Sequence, residues 1–425
     1  MRHISKTILL AVCTAFLALT ASGQETGVIT LHGHVVDASN SESLFFSSVS
    51  LGGSRISNVS NSDGVFSLKI PMDTPPDAEI SISHLGFMTR TLKVSAFAGS
   101  TPEHPLEITL APMSLTLDPA RVRAMDGYSI FRAAWYKVRD NYPTERVGMT
   151  AFYREMIKKG NTKYLVLNEA VIDIDKAPYS GFQSDRVGIY KGRGSLNYDS
   201  TDTLFVKLQG GISTALAIDM VKNPFAGVTL EEAESMLEFT LTGTAVYDGR
   251  DFYKISFTPR NVDDGILYKG TVYIETESLA IGRVEFSLDI RDRAEDAARI
   301  FIIKHTPGMR FFMNRAEYVI SYRCVDGKWY YDYCRADLNF TARKQRSLFR
   351  NSFTIIEEMA VTDHRAGGIA IASADRVKFN DILSEQVSAF TDDNFWEDYN
   401  IIEPDQSIDV VIRRIIRQLN RRNRQ

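Results

Sequence analysis

Cysteine is scarce in this chain of 425 residues, with three in all, and histidine numbers only seven. Neither charge sign dominates: 49 Lys and Arg face 53 Asp and Glu, a formal net charge of −4. That balance supplies neither the basic surface that nucleic acid demands nor an acidic solvating tail. Beyond about the first twenty residues, no apolar run approaches the roughly 18 residues of a membrane-crossing helix. The G-x-S-x-G elbow, the H-E-x-x-H helix, the phosphate loop, the dinucleotide fingerprint and cysteine metal clusters are all missing. No catalytic residue, cofactor or metal is therefore expected. What is present is a folding composition, 44% hydrophobic and 24% charged, in a length suited to two or three domains.

Met1–Thr7 carries Arg2, His3 and Lys6, Ile8–Leu19 is apolar apart from Thr14, and Ala21-Ser22-Gly23 follows. A basic start, a short apolar stretch and small residues describe a secretory signal peptide over residues 1–23. Its removal takes away Arg2 and Lys6 and shifts the net charge from −4 to −6. The expected location is the periplasm or the periplasmic face of an outer membrane. Cys324 and Cys334 then meet an oxidising compartment, where a disulfide would be the first guess. Asp326-Gly327 reads as a hairpin turn, however. That register sets Cys324 against Trp329 and Cys334 about 17 Å further along, on the opposite face. A disulfide needs Cα atoms within about 7 Å, so two free thiols are expected.

Residues 24–112 alternate short β-rich runs with turns: Val28–Val36, Ser47–Leu51, Gly64–Ile70, Glu79–His84 and Leu106–Leu110. Several short strands in so few residues predict a small β-sandwich. Gly33-His34-Val35-Val36-Asp37, Ser60-Asn61-Ser62-Asp63-Gly64-Val65-Phe66 and Ile82-Ser83-His84-Leu85-Gly86-Phe87 resemble the carboxypeptidase-regulatory-like domain, common in envelope proteins of Bacteroidetes. The resemblance implies a prealbumin-like sandwich used for docking and confers no peptidase activity. His32 and His34 share a strand face, but no third metal ligand is near them.

Residues 113–127 read as a linker and 128–378 as a second domain, opened by a helix over Tyr128–Asn141. Strand then follows strand to about Val361, with Asp248-Gly249 and Asp326-Gly327 as hairpin turns. Consecutive hairpins without crossovers predict a large curved antiparallel sheet, a half-barrel. Ser213–Val221 and Glu231–Leu237 are the short helices available to cover it. The fold class is thus mainly β: a sandwich, a half-barrel with covering helices, and a C-terminal helix. A half-barrel holding apolar helices, with the hairpin Lys269–Glu275 to Ile281–Phe286, is similar to the periplasmic lipoprotein carriers. The whole layout resembles secreted Bacteroidetes proteins in which a regulatory-like domain precedes a region of unknown function.

The candidate ligand-binding residues are Tyr153, Glu155, Leu165, Leu167, Glu169, Val171 and Arg193. Strand alternation puts Glu155 beside Tyr153, and Glu169 beside Leu165, Leu167 and Val171. Carboxyls on apolar faces can act as an acid–base pair, so a hydrolase using Glu155 or Glu169 is an alternative. With a turn at Lys158–Thr162, though, Glu155 opposes Leu165 and lies roughly 13 Å from Glu169, and ion pairing with Arg154, Arg186, Arg193 or Lys191 competes. The segment 379–425 ends in an amphipathic helix over Ser407–Arg422. Its apolar stripe runs through Ile408, Val411, Ile412, Ile415 and Leu419. Arg413, Arg414, Arg417 and Arg421 could meet a membrane surface or a partner, or the helix could simply close the half-barrel. The function expected is a non-catalytic envelope protein, its half-barrel binding a lipid, lipoprotein or partner segment. The alternative is an accessory subunit of an outer-membrane complex without a small ligand.

Overall fold

The computed structural model describes residues 27–113, 126–160, 163–181, 183–196, 211–224, 228–261, 267–301, 308–344, 350–378, 381–390 and 395–422. The signal segment and nearly all of the linker lie outside them. The first seven strands are β1 (Val28–Asp37), β2 (Ser48–Leu51), β3 (Ser57–Val59), β4 (Val65–Pro71), β5 (Glu79–Ser83), β6 (Arg90–Lys93) and β7 (Leu106–Leu110). They form two sheets, β4-β1-β7 and β3-β2-β5-β6. Val35, Phe66, Leu68 and Ile108 of one sheet meet Val49, Ile80 and Ile82 of the other, all with no accessible surface, which makes a sandwich. Gly33 is required where it stands, since the Phe66 ring occupies the place a Cβ would take.

Helix α1 (Gly127–Tyr136) opens the second part, with Asp126 accepting from the Tyr128 and Ser129 amides, and α2 (Val138–Asn141) follows a break at Lys137. Then come β8 (Val147–Lys159), β9 (Lys163–Lys176), β10 (Arg186–Leu196), α3 (Gly211–Ala217) and α4 (Leu230–Met236). They are followed by β11 (Leu237–Tyr247), β12 (Arg250–Pro259), β13 (Tyr268–Glu275), β14 (Ile281–Leu288) and α5 (Ala294–Phe301). The three longest strands, β15 (Met309–Val325), β16 (Lys328–Lys344) and β17 (Arg350–Ala366), precede β18 (Ser388–Ala389) and α6 (Gln406–Arg422). Helix α5 had no counterpart in the sequence reading.

One sheet takes all of these strands in the order β11-β12-β13-β14-β15-β16-β17-β8-β9-β10-β18. Every pairing is antiparallel except β10 with β18. The meander from β11 to β17 follows the predicted hairpins, and Asp248-Gly249 and Asp326-Gly327 both take the left-handed backbone such turns need. What hairpins could not predict is that β17 closes back on β8, some two hundred residues earlier. The curved sheet encloses one large apolar core on its inner face, covered by α1, α3, α4 and α5.

The outer face is also covered, locally. Val59 of the sandwich joins Phe152, Val171, Tyr333, Trp396, Ile401 and Ile402 in a second apolar cluster. Beside it Ile408 and Ile412 of α6 pack on Met156, Leu167, Ile356 and Phe390. The helix therefore lies on the back of the sheet rather than closing its mouth. Asn58 ties the two sheets of the sandwich to the C-terminal segment, donating to Ser67 O at 2.8 Å and Ile401 O at 2.7 Å. Asn58→Ala strands two buried carbonyls and is expected to destabilise by about 1–3 kcal/mol in urea unfolding.

Candidate functional site

Alternation along β8 sends Tyr153 and Ile157 into the inner core and Phe152 and Met156 to the outer clusters. Lys159 pairs with Lys163, two positions from the expected register, and a bulge between Ile157 and Lys158 adds one more, so Glu155 opposes Asn168 instead of Leu165. Of the seven candidate residues, Tyr153, Glu155 and Leu165 belong to the inner side. Leu167, Val171, Glu169 and Arg193 do not. Leu167 and Val171 pack under the C-terminal segment, and Glu169 and Arg193 are paired there. The expectation that Leu167 and Val171 line the concave surface is overturned by the single residue that the bulge inserts, which reverses the faces.

Glu169 is held by three short bonds on the outer side. Arg154 reaches it at 2.8 and 2.7 Å, and Arg193 at 2.8 Å. Arg154, 1% exposed, also binds Glu358 at 3.1 Å and Ile402 O at 2.8 Å. Burial alone would push the Glu169 carboxyl up, but the two guanidiniums hold it below the usual range. Arg193 stacks within 4.8 Å of Phe390 and 5.0 Å of Trp396, which clamps the C-terminal segment. This network joins parts of the protein, and Glu155 and Glu169 share no cleft.

Glu155 on the inner side accepts from Asn168 Nδ2 at 2.7 Å and Tyr153 Oη at 3.1 Å. Directly across from it on β17 stands Glu357. Both are 5% exposed. Glu357 was missed from the sequence, although Phe353, Ile355, Met359 and Val361 mark its face as apolar. Burial first, then the neighbouring Glu155, push the Glu357 carboxyl up to about 8. Burial also raises Glu155. The first residue of α3 lies over Glu155: a Cβ on Gly211 would sit 2.9 Å from Glu155 Oε2 and 3.1 Å from Tyr153 Oη.

Polar anchors fix α3 and the turn after it. Tyr331 Oη donates to Ala215 O at 2.6 Å, and Tyr322 Oη to Asp219 at 2.7 Å. Lys176, 1% exposed, sits between Asp219 at 2.7 Å and Asp185 at 2.8 Å. A groove of about 540 Å³ beside this anchor is lined by Asp185, Ser213, Leu216 and Lys222. On the outer side a groove of about 650 Å³ runs between Phe45 and Phe46 of the sandwich and Arg283, Glu285, Glu317 and Arg335 of the sheet.

Cys324 opposes Trp329 as the hairpin register requires, and both thiols are free. A bulge opposite Ser321 and Tyr322 turns Cys334 into the inner core, on the same face as Trp329, where alternation had set it on the opposite one. Burial pushes its thiol up to about 12. Arg413 is exposed and pairs with Asp409 at 2.8 Å, while Arg417 is also exposed. The side chains of Arg414 and Arg421 lie outside those described. Among the described residues no group of three His, Cys, Asp or Glu side chains could hold a metal ion, and no helix is long and apolar enough to cross a membrane.

No protein-family model matches the chain, and no curated protein matches it. The regulatory-like resemblance of the sandwich thus gains no support from a family model. Among solved structures the chain is similar to a DUF1329 family protein from Desulfovibrio piger, at 13% identity over 59% of this chain and 97% of that one, with a TM-score of 0.24. It is similar to a LolA superfamily protein from Nitrosomonas europaea at 9% identity, covering 58% and 97%, with a TM-score of 0.19. MucB in complex with MucA gives 12% identity, 58% and 100% coverage, and a TM-score of 0.20. Scores at this level carry no argument about this chain.

Proposed function

We propose that the protein is a non-catalytic receptor of the cell envelope. The inner face of its curved sheet takes an acyl chain, the lipid part of a lipoprotein, or an apolar partner segment. The observation behind this reading is the mismatch between that face and its cover. The face is apolar from β11 to β9 except at Asn168, Glu155 and Glu357, yet over β16 and β17 it is covered by α3, a helix of seven residues. A helix so short has little stability of its own and depends on its anchors. Displacing it would free apolar surface for a tail, at roughly 0.8 kcal/mol per CH₂ buried. The sandwich and C-terminal segment, bolted to the back of the sheet, would hold the frame still while the cover moves.

An organic extract of protein purified from a bacterial periplasm tests the reading by mass spectrometry. A stoichiometric acyl species supports it. A lipid-free protein removes the lipid form and favours the accessory-subunit reading, for which the 650 Å³ outer groove, with Phe45 53% exposed at its rim, is the natural contact.

A further inference from the structure

Resting on that receptor reading, we propose that Glu155 and Glu357 form the head-group site, and that it takes the primary ammonium of an amphiphile whose tail lies along the neighbouring strands. The pair has more acceptors than donors. Asn168 Nδ2 and Tyr153 Oη are both spent on Glu155. Glu357 has no donor among the described residues. The other titratable groups that act on the pair are Tyr153 on β8, Cys334 on β16 and Tyr318 on β15, and each ionises only to a negative charge. Among the described residues no cation offsets them. An ammonium carries three donors on one compact charge and fits this surplus, and above it Gly211 has no side chain to compete.

The surroundings select an amphiphile over a lysine-bearing peptide. Beyond the carboxyls the inner face continues as Ile157, Ile355, Phe353, Leu338 and Phe340. Such a surface accepts an alkyl tail, whereas a peptide backbone laid on it would lose its hydrogen bonds to water and find none in return. Without a ligand a proton on Glu357 removes one of the two charges, since burial and Glu155 push that carboxyl up to about 8. An incoming ammonium replaces that proton, so binding releases one and strengthens as pH rises towards 8.

Calorimetry with decylammonium and decanol, both below the concentration at which they aggregate, tests the site on the full chain. At pH 8 decylammonium is expected to bind at least tenfold more tightly than decanol, with the preference shrinking at pH 5. In Glu155→Gln/Glu357→Gln the preference is expected to fall to within twofold, circular dichroism and urea unfolding confirming the fold. The single Glu357→Gln variant, expected to lose most of the preference, serves if the double variant does not fold. Equal affinities in the unaltered protein, or a preference that survives both substitutions, overturn the ammonium site and leave the receptor reading standing. If neither compound binds, both fall.

Discussion

Glu357→Gln is expected to stabilise the protein at pH 8 and to flatten its stability between pH 5 and pH 8. The sign follows from the proton count. An unfolded glutamate titrates near 4.5, while in the fold Glu357 holds its proton up to about 8. Between those values the folded state binds more protons than the unfolded one, so stability falls as pH rises, by up to about 1.4 kcal/mol per unit. The contribution is complete below the unfolded value and lost once pH passes the folded one. Gln keeps the volume and removes the charge, so its advantage over the native residue should grow by about 3 kcal/mol from pH 5 to pH 8. Urea unfolding at the two pH values measures this. A difference independent of pH would mean that Glu357 ionises freely and that the pair is not enclosed.

Arg154→Met is expected to be the most damaging single change on the outer side, at about 3–5 kcal/mol. The loss comes from what the substitution leaves behind. Glu169, with no accessible surface, keeps only Arg193, and Ile402 O loses its donor. Replacing Arg154 and Glu169 together by apolar residues should not recover that loss, because Glu358 then keeps only Arg335 and the buried Arg193 guanidinium loses Glu169. Trypsin should also cut the C-terminal segment sooner in Arg154→Met, as Ile402 and Trp396 lose part of the surface that holds them. A loss under 1 kcal/mol would show that the network adds little to the joint.

The residues that predicted the fold act locally. Asp-Gly pairs set the hairpins, and the apolar stripe of α6 named Ile408 and Ile412 as its buried face. The site was harder to read because its geometry depends on bulges and distant pairings. One extra residue near Ile157 reversed the faces assigned to Leu167 and Val171, and another opposite Tyr322 turned Cys334 inward. Glu155 was visible beside Tyr153, but its partner lies on a strand that returns from about two hundred residues away. Nothing local announces such a pairing. The arginines that neutralise Glu169 were foreseen among four candidates, and only the fold singled out Arg154 and Arg193.

Native-state hydrogen exchange tests most directly whether α3 is a removable cover. The amides of Ile212–Ala217 are expected to exchange through a local opening, at least a hundredfold faster than those at the centres of β8 and β17. Exchange of α3 only through global unfolding, at the rate of those strands, would make it a permanent part of the core and contradict a receptor that opens on its inner face.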